Sequence, residues 1–244
     1  MTRLLPAALI LLLFGSVESS AQVPGLEALV PPGEGTATGR MLQLVIIITV
    51  LSVAPGLLIM VTCFTRFVIA LSFLRTGLGL QTTPANLILI SLALFMTFYV
   101  MGPTFDQAWH NGLKPLVENQ IGEEEAYRRI TAPFRAFMRA NVREKDLSLF
   151  AELSGKEPQG PDENIELRVL IPAFMISELR RAFEIGFLIV LPFLVIDMIV
   201  ATLTMSMGMM MLPPTVISLP FKILFFILID GWNLLVGGLI RSFA

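Results

Sequence analysis

Two carboxylates, Asp197 and Asp230, and two cations, Lys222 and Arg66, stand inside or beside long apolar stretches of this sequence. An ionisable side chain is expensive in hydrocarbon, so such groups either neutralise one another or face a watery interior. Two chemistries fit these four residues. Asp197 or Asp230 pairs with Lys222 or Arg66 on an adjacent helix or subunit and serves assembly, or the aspartates handle protons on a path through the membrane. A second set is made of thioethers: Met205, Met207, Met209, Met210 and Met211 lie within seven positions, just before Pro213 and Pro214. Methionine is unbranched and polarisable and adapts to varied shapes, and the two prolines forbid a continuing helix. Two apolar helices therefore meet at a methionine-rich tip, which either closes and yields around another molecule or only packs.

The other residues that could do chemistry lack companions. His110, the sole histidine, sits beside Trp109 in a polar stretch with no second histidine, cysteine or carboxylate at metal-ligand spacing, so no metal site is expected. Cys63 is the only cysteine, and no intrachain disulfide is possible. Gly77-Leu78-Gly79 follows no strand, and Gly155-Lys156 has no glycine-rich loop before it, so neither is a phosphate cradle. The sequence predicts a protein that is not an enzyme and carries no cofactor.

The elements that must position these groups are set by composition. Hydrophobic residues are 55% of the 244 and charged residues 15%, with a mean hydropathy of +0.78; this places the chain among polytopic membrane proteins. A net charge of −2 without a clustered basic face excludes a nucleic-acid partner. Residues 1–21 read as a signal peptide: Arg3, an apolar run from Leu4 to Phe14 too short to span, and cleavage between Ala21 and Gln22. Residues 22–40 are a Pro- and Gly-rich lead-in. An all-α fold of helical hairpins is expected: a first apolar hairpin over 41–103, a helical insertion over 104–184, and a second apolar hairpin over 185–244. Pro55-Gly56 should break the first apolar segment, and Gly102-Pro103 should end the second.

Arg66 and Arg75 between the first two apolar segments, and Lys222 between the last two, place both turns in the cytoplasm, because Lys and Arg near spanning ends stay inside. The insertion is then periplasmic. Within it, Glu123 to Glu125 suit a helix N-terminus and Arg135, Arg139 and Arg143 its far end. Tyr127, Ile130, Phe134, Phe137 and Met138 form one apolar stripe through Pro133, and a neighbouring subunit is the expected partner for it. The return arm, 165–184, should run straight into the third apolar segment, with Glu178–Arg181 and Arg180–Glu184 as supporting pairs.

These runs also carry a resemblance. FTRFVIALSFLRTGLG (64–79), Pro84 and Asn86, and LALFMTFYVMGP (92–103) resemble the first signature of the FliP family of flagellar biosynthesis membrane proteins. LIPAFMISELRRAFEIGF (170–187), PFLVIDMIVATLTMSMGMMMLPP and LPFKILFFILIDGWNLLVGG resemble the second. Ala85 departs from the pattern, which has a further proline there. The resemblance implies a core subunit of the flagellar type III export gate in the inner membrane at the basal body. It implies a pentameric ring assembled with FliQ and FliR and contacting FlhB, with unfolded flagellar proteins as cargo. The family's methionine gate falls on Met209, Met210 and Met211, with Met205 and Met207 beside them. Two other classes remain open: a proton-coupled small-solute transporter, which would use Asp197 and Asp230, and a purely structural scaffold.

Overall fold

A computed structural model describes residues 37–155, 165–208 and 213–243. The signal-cleavage pair Ala21 and Gln22, the lead-in up to residue 36, the loop tip at 156–164 and Met209, Met210 and Met211 lie outside the described residues. The chain divides into two compact units, Met1–Ser52 and Val53–Ala244. Of the first, the described part is helical from Ala37. Among the described residues every regular element is a helix, in keeping with an all-α membrane fold.

Helix α1, Ala37–Met60, passes through Pro55-Gly56, so the expected break there is corrected. The turn comes at Val61–Cys63, ahead of α2, Phe64–Gly77. A proline removes one hydrogen bond, and a helix of 24 residues keeps the bonds on either side of it. The stretch bearing Arg66 and Arg75, expected as a connecting turn, is thus itself a helix. Helix α3, Asn86–Ala108, likewise runs through Gly102-Pro103, and a π-helical turn, Trp109–Leu113, joins it to the short α4, Lys114–Val117. The insertion contributes α5, Glu123–Asn141, and α6, Glu144–Leu153. Glu123, Glu124 and Glu125 occupy the first turn of α5 and Arg139 its last, matching the dipole at both ends. Outside the apolar segments, the hydrogen bond from Arg129 holds the Glu125 carboxyl below its ordinary range.

Helix α7, Leu167–Ser206, is a single element of 40 residues. At 1.5 Å per residue it is about 60 Å long, roughly twice the hydrocarbon thickness of a bilayer. Its first half is the return arm of the insertion and its second half the third apolar segment. Helices α8, Pro214–Leu228, and α9, Gly231–Arg241, complete the chain. They are bent by 65° within what reads along the sequence as one apolar segment. The bend sits at Asp230, whose φ of 51° is left-handed, a conformation that short polar Asp tolerates better than most residues. Among the described residues two helices, Asn86–Val117 and Leu167–Ser206, are long and apolar enough to cross a membrane, or up to four spans if each bent pair counts as one.

Side-chain contacts fix the bundle. Arg66 meets Glu178, a Cβ on Gly186 would stand against Phe73, and one on Gly77 against Val190 and Phe193, so α2 and α7 run parallel. Between apolar helices in lipid, association rests on close packing and not on exclusion of water. Gly77, Gly186 and the fully buried Ala70 and Ala182 provide the small residues that such packing needs. Helix α3 returns antiparallel, burying Leu89, Ala93, Met96 and Met101 with Cys63, Phe67 and Leu71, and α8–α9 returns to bring Leu239 into the same cluster. The insertion's apolar stripe is covered from within the chain, which corrects the expectation of a neighbouring subunit. Phe134 lies against Phe105, Phe137 against Phe174 and Phe243, and Met138 is fully buried. Tyr127 alone of the stripe is exposed.

Candidate functional site: two buried ionic clusters and a projecting tip

Helix α2 carries an ionic cluster at each end. At its start, Arg66 and Glu178 form a two-pronged pair in which neither side chain is exposed at all. Arg66 Nε donates to Glu178 Oε2 at 2.8 Å and Nη2 bonds Oε1. Arg66 Nη1 donates to the carbonyl and hydroxyl of Ser242, at 3.1 and 2.9 Å, and its guanidinium carbon lies 3.4 Å from the centre of the Phe243 ring. A planar fork suits this arrangement, since it satisfies a carboxylate with one edge and keeps a face for the ring. Phe243 packs in turn on Phe67 and Phe137. Beside this pair, Ser177 donates to Asp146 Oδ2 at 2.7 Å and accepts from the Arg143 amide at 3.1 Å, tying the α5–α6 turn to α7.

At the far end of α2, Lys222 Nζ lies 2.6 Å from Asp197 Oδ2 and donates to the Gly77 carbonyl at 3.0 Å. Ser218 donates to Asp197 Oδ1 at 2.5 Å. Both oxygens of Asp197 and the buried Lys222 are therefore engaged, and the cluster binds α7, α8 and the last carbonyl of α2 into one node. The buried Arg66–Glu178 pair contributes little net stability, because desolvation offsets attraction, and in the other pair Asp197 stays partly exposed. The effect of Arg66–Glu178 is on register: a slip of α2 along α7 by one turn would leave both charges unpaired in an apolar interior.

Beyond this lower node the second hairpin continues alone. Ser206 lies nine residues past Asp197, which is about 13 Å of helix. There α7 ends on Gly208, whose φ of 73° permits the left-handed cap, with Gly208 N–H bonding the Met205 carbonyl at 3.1 Å. Pro213 sits at the N-cap of α8 and Pro214 at its first position, where its missing N–H costs nothing. Met205 is 64% exposed and Met207 73%, an apolar end with no part of the described chain over it.

The FliP family profile matches residues 47–239, a stretch that contains Arg66, Glu178, Asp197, Ser218, Lys222 and the tip, with Ser242 and Phe243 just past its end. The chain belongs to the FliP family. It is similar to proteins named flagellar biosynthetic protein FliP from Rhizobium meliloti, 64% identical over 214 residues and 87% of each chain, and from Bacillus subtilis, 53% identical over 201 residues, 82% of this chain and 91% of the relative. A third, from Aquifex aeolicus, is 42% identical over 242 residues, 97% of this chain and 98% of the relative.

Of the four charged residues picked out by their apolar surroundings in this FliP-family chain, Asp197 and Lys222 meet each other. Arg66 meets neither aspartate: its partner is Glu178, 112 positions away. The suggested Glu178–Arg181 pair gives way to this one, whereas Arg180 does bond Glu184, at 2.8 Å. Asp230 is exposed at the α8–α9 bend and pairs with no described residue. His110 is exposed on the π turn, and among the described residues no group of three or more His, Cys, Asp or Glu is placed to hold a metal ion. Glu178, Ser218, Ser242 and Phe243 are the participants that sequence reasoning missed. Glu178 had a signal: Leu170, Ala173, Phe174, Ser177, Glu178 and Ala182 share one helical face, so an apolar stripe carried a carboxylate inward.

Proposed function

We propose that this chain is a core subunit of the flagellar type III protein export gate, in which copies of it surround the path that unfolded flagellar proteins take across the inner membrane. The observation that carries the reading is the projecting α7–α8 tip, apolar, methionine-rich and bare in the single chain. Such an end is satisfied when several copies bring their tips together around an axis. The resulting narrow apolar ring, with Met209, Met210 and Met211 at its centre and Met205 and Met207 flanking, resists ion flow by dewetting. Because thioether side chains repack easily, it also yields to a passing polypeptide. The Asp197–Lys222–Ser218 node stands behind the tip as a clamp on the hairpin. Its saturated geometry favours that role over proton transport, and so favours a gate over a solute transporter.

A pentameric ring, FliQ and FliR as co-subunits and an FlhB-like partner follow from the same reading, as does an inner-membrane location at the basal body. On this reading the insertion is periplasmic. Arg66 and Lys222 no longer argue for this, since both are buried in ion pairs within the bundle; Arg75, near the end of α2, still does. The test is the triple replacement of Met209, Met210 and Met211 by Ala, with membrane conductance and complex yield measured together. The gate reading expects normal yield with a leak of small ions. Loss of yield without leak indicates packing alone, and an assembled, ion-tight, exporting complex ends the assignment.

A further inference from the structure

Between α2, α3 and the bent α8–α9 pair lies a cavity of about 280 Å³ that the gate reading does not use. Its walls are apolar, with Leu71, Leu74, Leu89, Phe226 and Trp232 among them, and one cation, Arg75, stands in its lining. That guanidinium is half-buried and hydrogen-bonds the neutral side chain of Asn86; among the described residues it pairs with no carboxylate. A cavity just below the roughly 300–1,000 Å³ of small-molecule sites holds a single flexible chain and no bulky ring system. In a chain with helices long and apolar enough to cross a membrane, an apolar slot with an unneutralised cation calls for an amphiphile with an anionic head.

We propose that this cavity binds one acyl chain of an anionic phospholipid, with the lipid phosphate held by Arg75. Charge complementarity selects the occupant: a zwitterionic lipid fills the slot equally well but brings a cation of its own toward the guanidinium. An apolar segment of a second protein copy would fill the slot and leave Arg75 without a counter-charge. No residue of the methionine tip lines the cavity, so the failure of this site and the failure of the gate assignment are separable.

Trp232 lines the cavity and is one of two tryptophans, the other being Trp109. The test therefore uses the full chain with Trp109→Phe, purified in its complex and reconstituted into phosphatidylcholine containing a minor fraction of phosphatidylglycerol with brominated acyl chains. Trp232 fluorescence should be quenched well beyond the level reached with the same fraction of brominated phosphatidylcholine. Arg75→Gln should weaken that preference about fivefold, the scale of one basic side chain's attraction for an anionic lipid, and Arg75→Lys should restore most of it. Ile223→Phe, which fills the slot from α8, should lower quenching by both lipids while the complex stays assembled. Equal quenching by the two lipids in the parent protein overturns the proposal, since it means that Trp232 meets bulk lipid only. Absence of quenching by either also overturns it, and indicates that protein occupies the cavity.

Discussion

Replacing Glu178 by Met leaves Arg66 charged, fully buried and reliant on the Ser242 carbonyl, the Ser242 hydroxyl and the Phe243 ring. Replacing Arg66 by Met instead strands the carboxylate of Glu178. Either single change should cost about 3–5 kcal/mol, the scale of removing one partner from a buried pair. That is a large part of the ~5–15 kcal/mol by which a domain is stable. The double change, Arg66→Met with Glu178→Met, removes both charges and fills the space with unbranched apolar side chains, and should return to within about 2 kcal/mol of the parent. The coupling between the two positions is then several kcal/mol and favourable. Unfolding of the purified full chain by SDS in mixed micelles, followed by helical circular dichroism, measures each corner of the cycle. Single variants that lose less than about 1 kcal/mol, or a double variant that loses the sum of the two, would refute the claim that this pair sets the register of α2 on α7.

Three further outcomes follow from the packing. Gly186→Ala places a methyl 2.5 Å from two ring atoms of Phe73, so it should destabilise the α2–α7 contact by about 1–3 kcal/mol; Phe73→Leu in the same chain should relieve part of the loss in the same titration. Asp197→Asn keeps a group for Ser218 but leaves Lys222 without its counter-charge, and should cost about 1–3 kcal/mol and lower complex yield; unchanged yield and export would remove the clamp. For sidedness, Lys156→Cys in a Cys63→Ser background should react with a membrane-impermeant thiol reagent from the periplasm, and labelling only after the inner membrane is opened would invert the placement.

The sequence by itself determined whatever depends on composition and local pattern. Apolar runs announced membrane helices; Pro213 and Pro214 announced the tip; acidic and basic ends announced α5; and the uninterrupted pattern from Ile165 onward announced that the return arm enters the third apolar segment. Two signature-like runs announced the family. Tertiary structure decided where the helices end, because a proline removes one hydrogen bond without by itself fixing a helix boundary. Pro55, Pro103 and Pro220 lie within helices, while the chain turns at Val61–Cys63, where no proline stands, and bends at Asp230. It also decided partners. An isolated charge in an apolar run shows that a counter-charge is required but not which residue supplies it, since the partner is selected by helix register across as many as 112 positions. Arg66 read as a mark of the cytoplasmic side because, along the chain, a basic residue between two apolar segments resembles a solvated loop. Only the packing of α2 against α7 revealed that this residue is inside the protein, held by a glutamate from the insertion and closed over by Phe243.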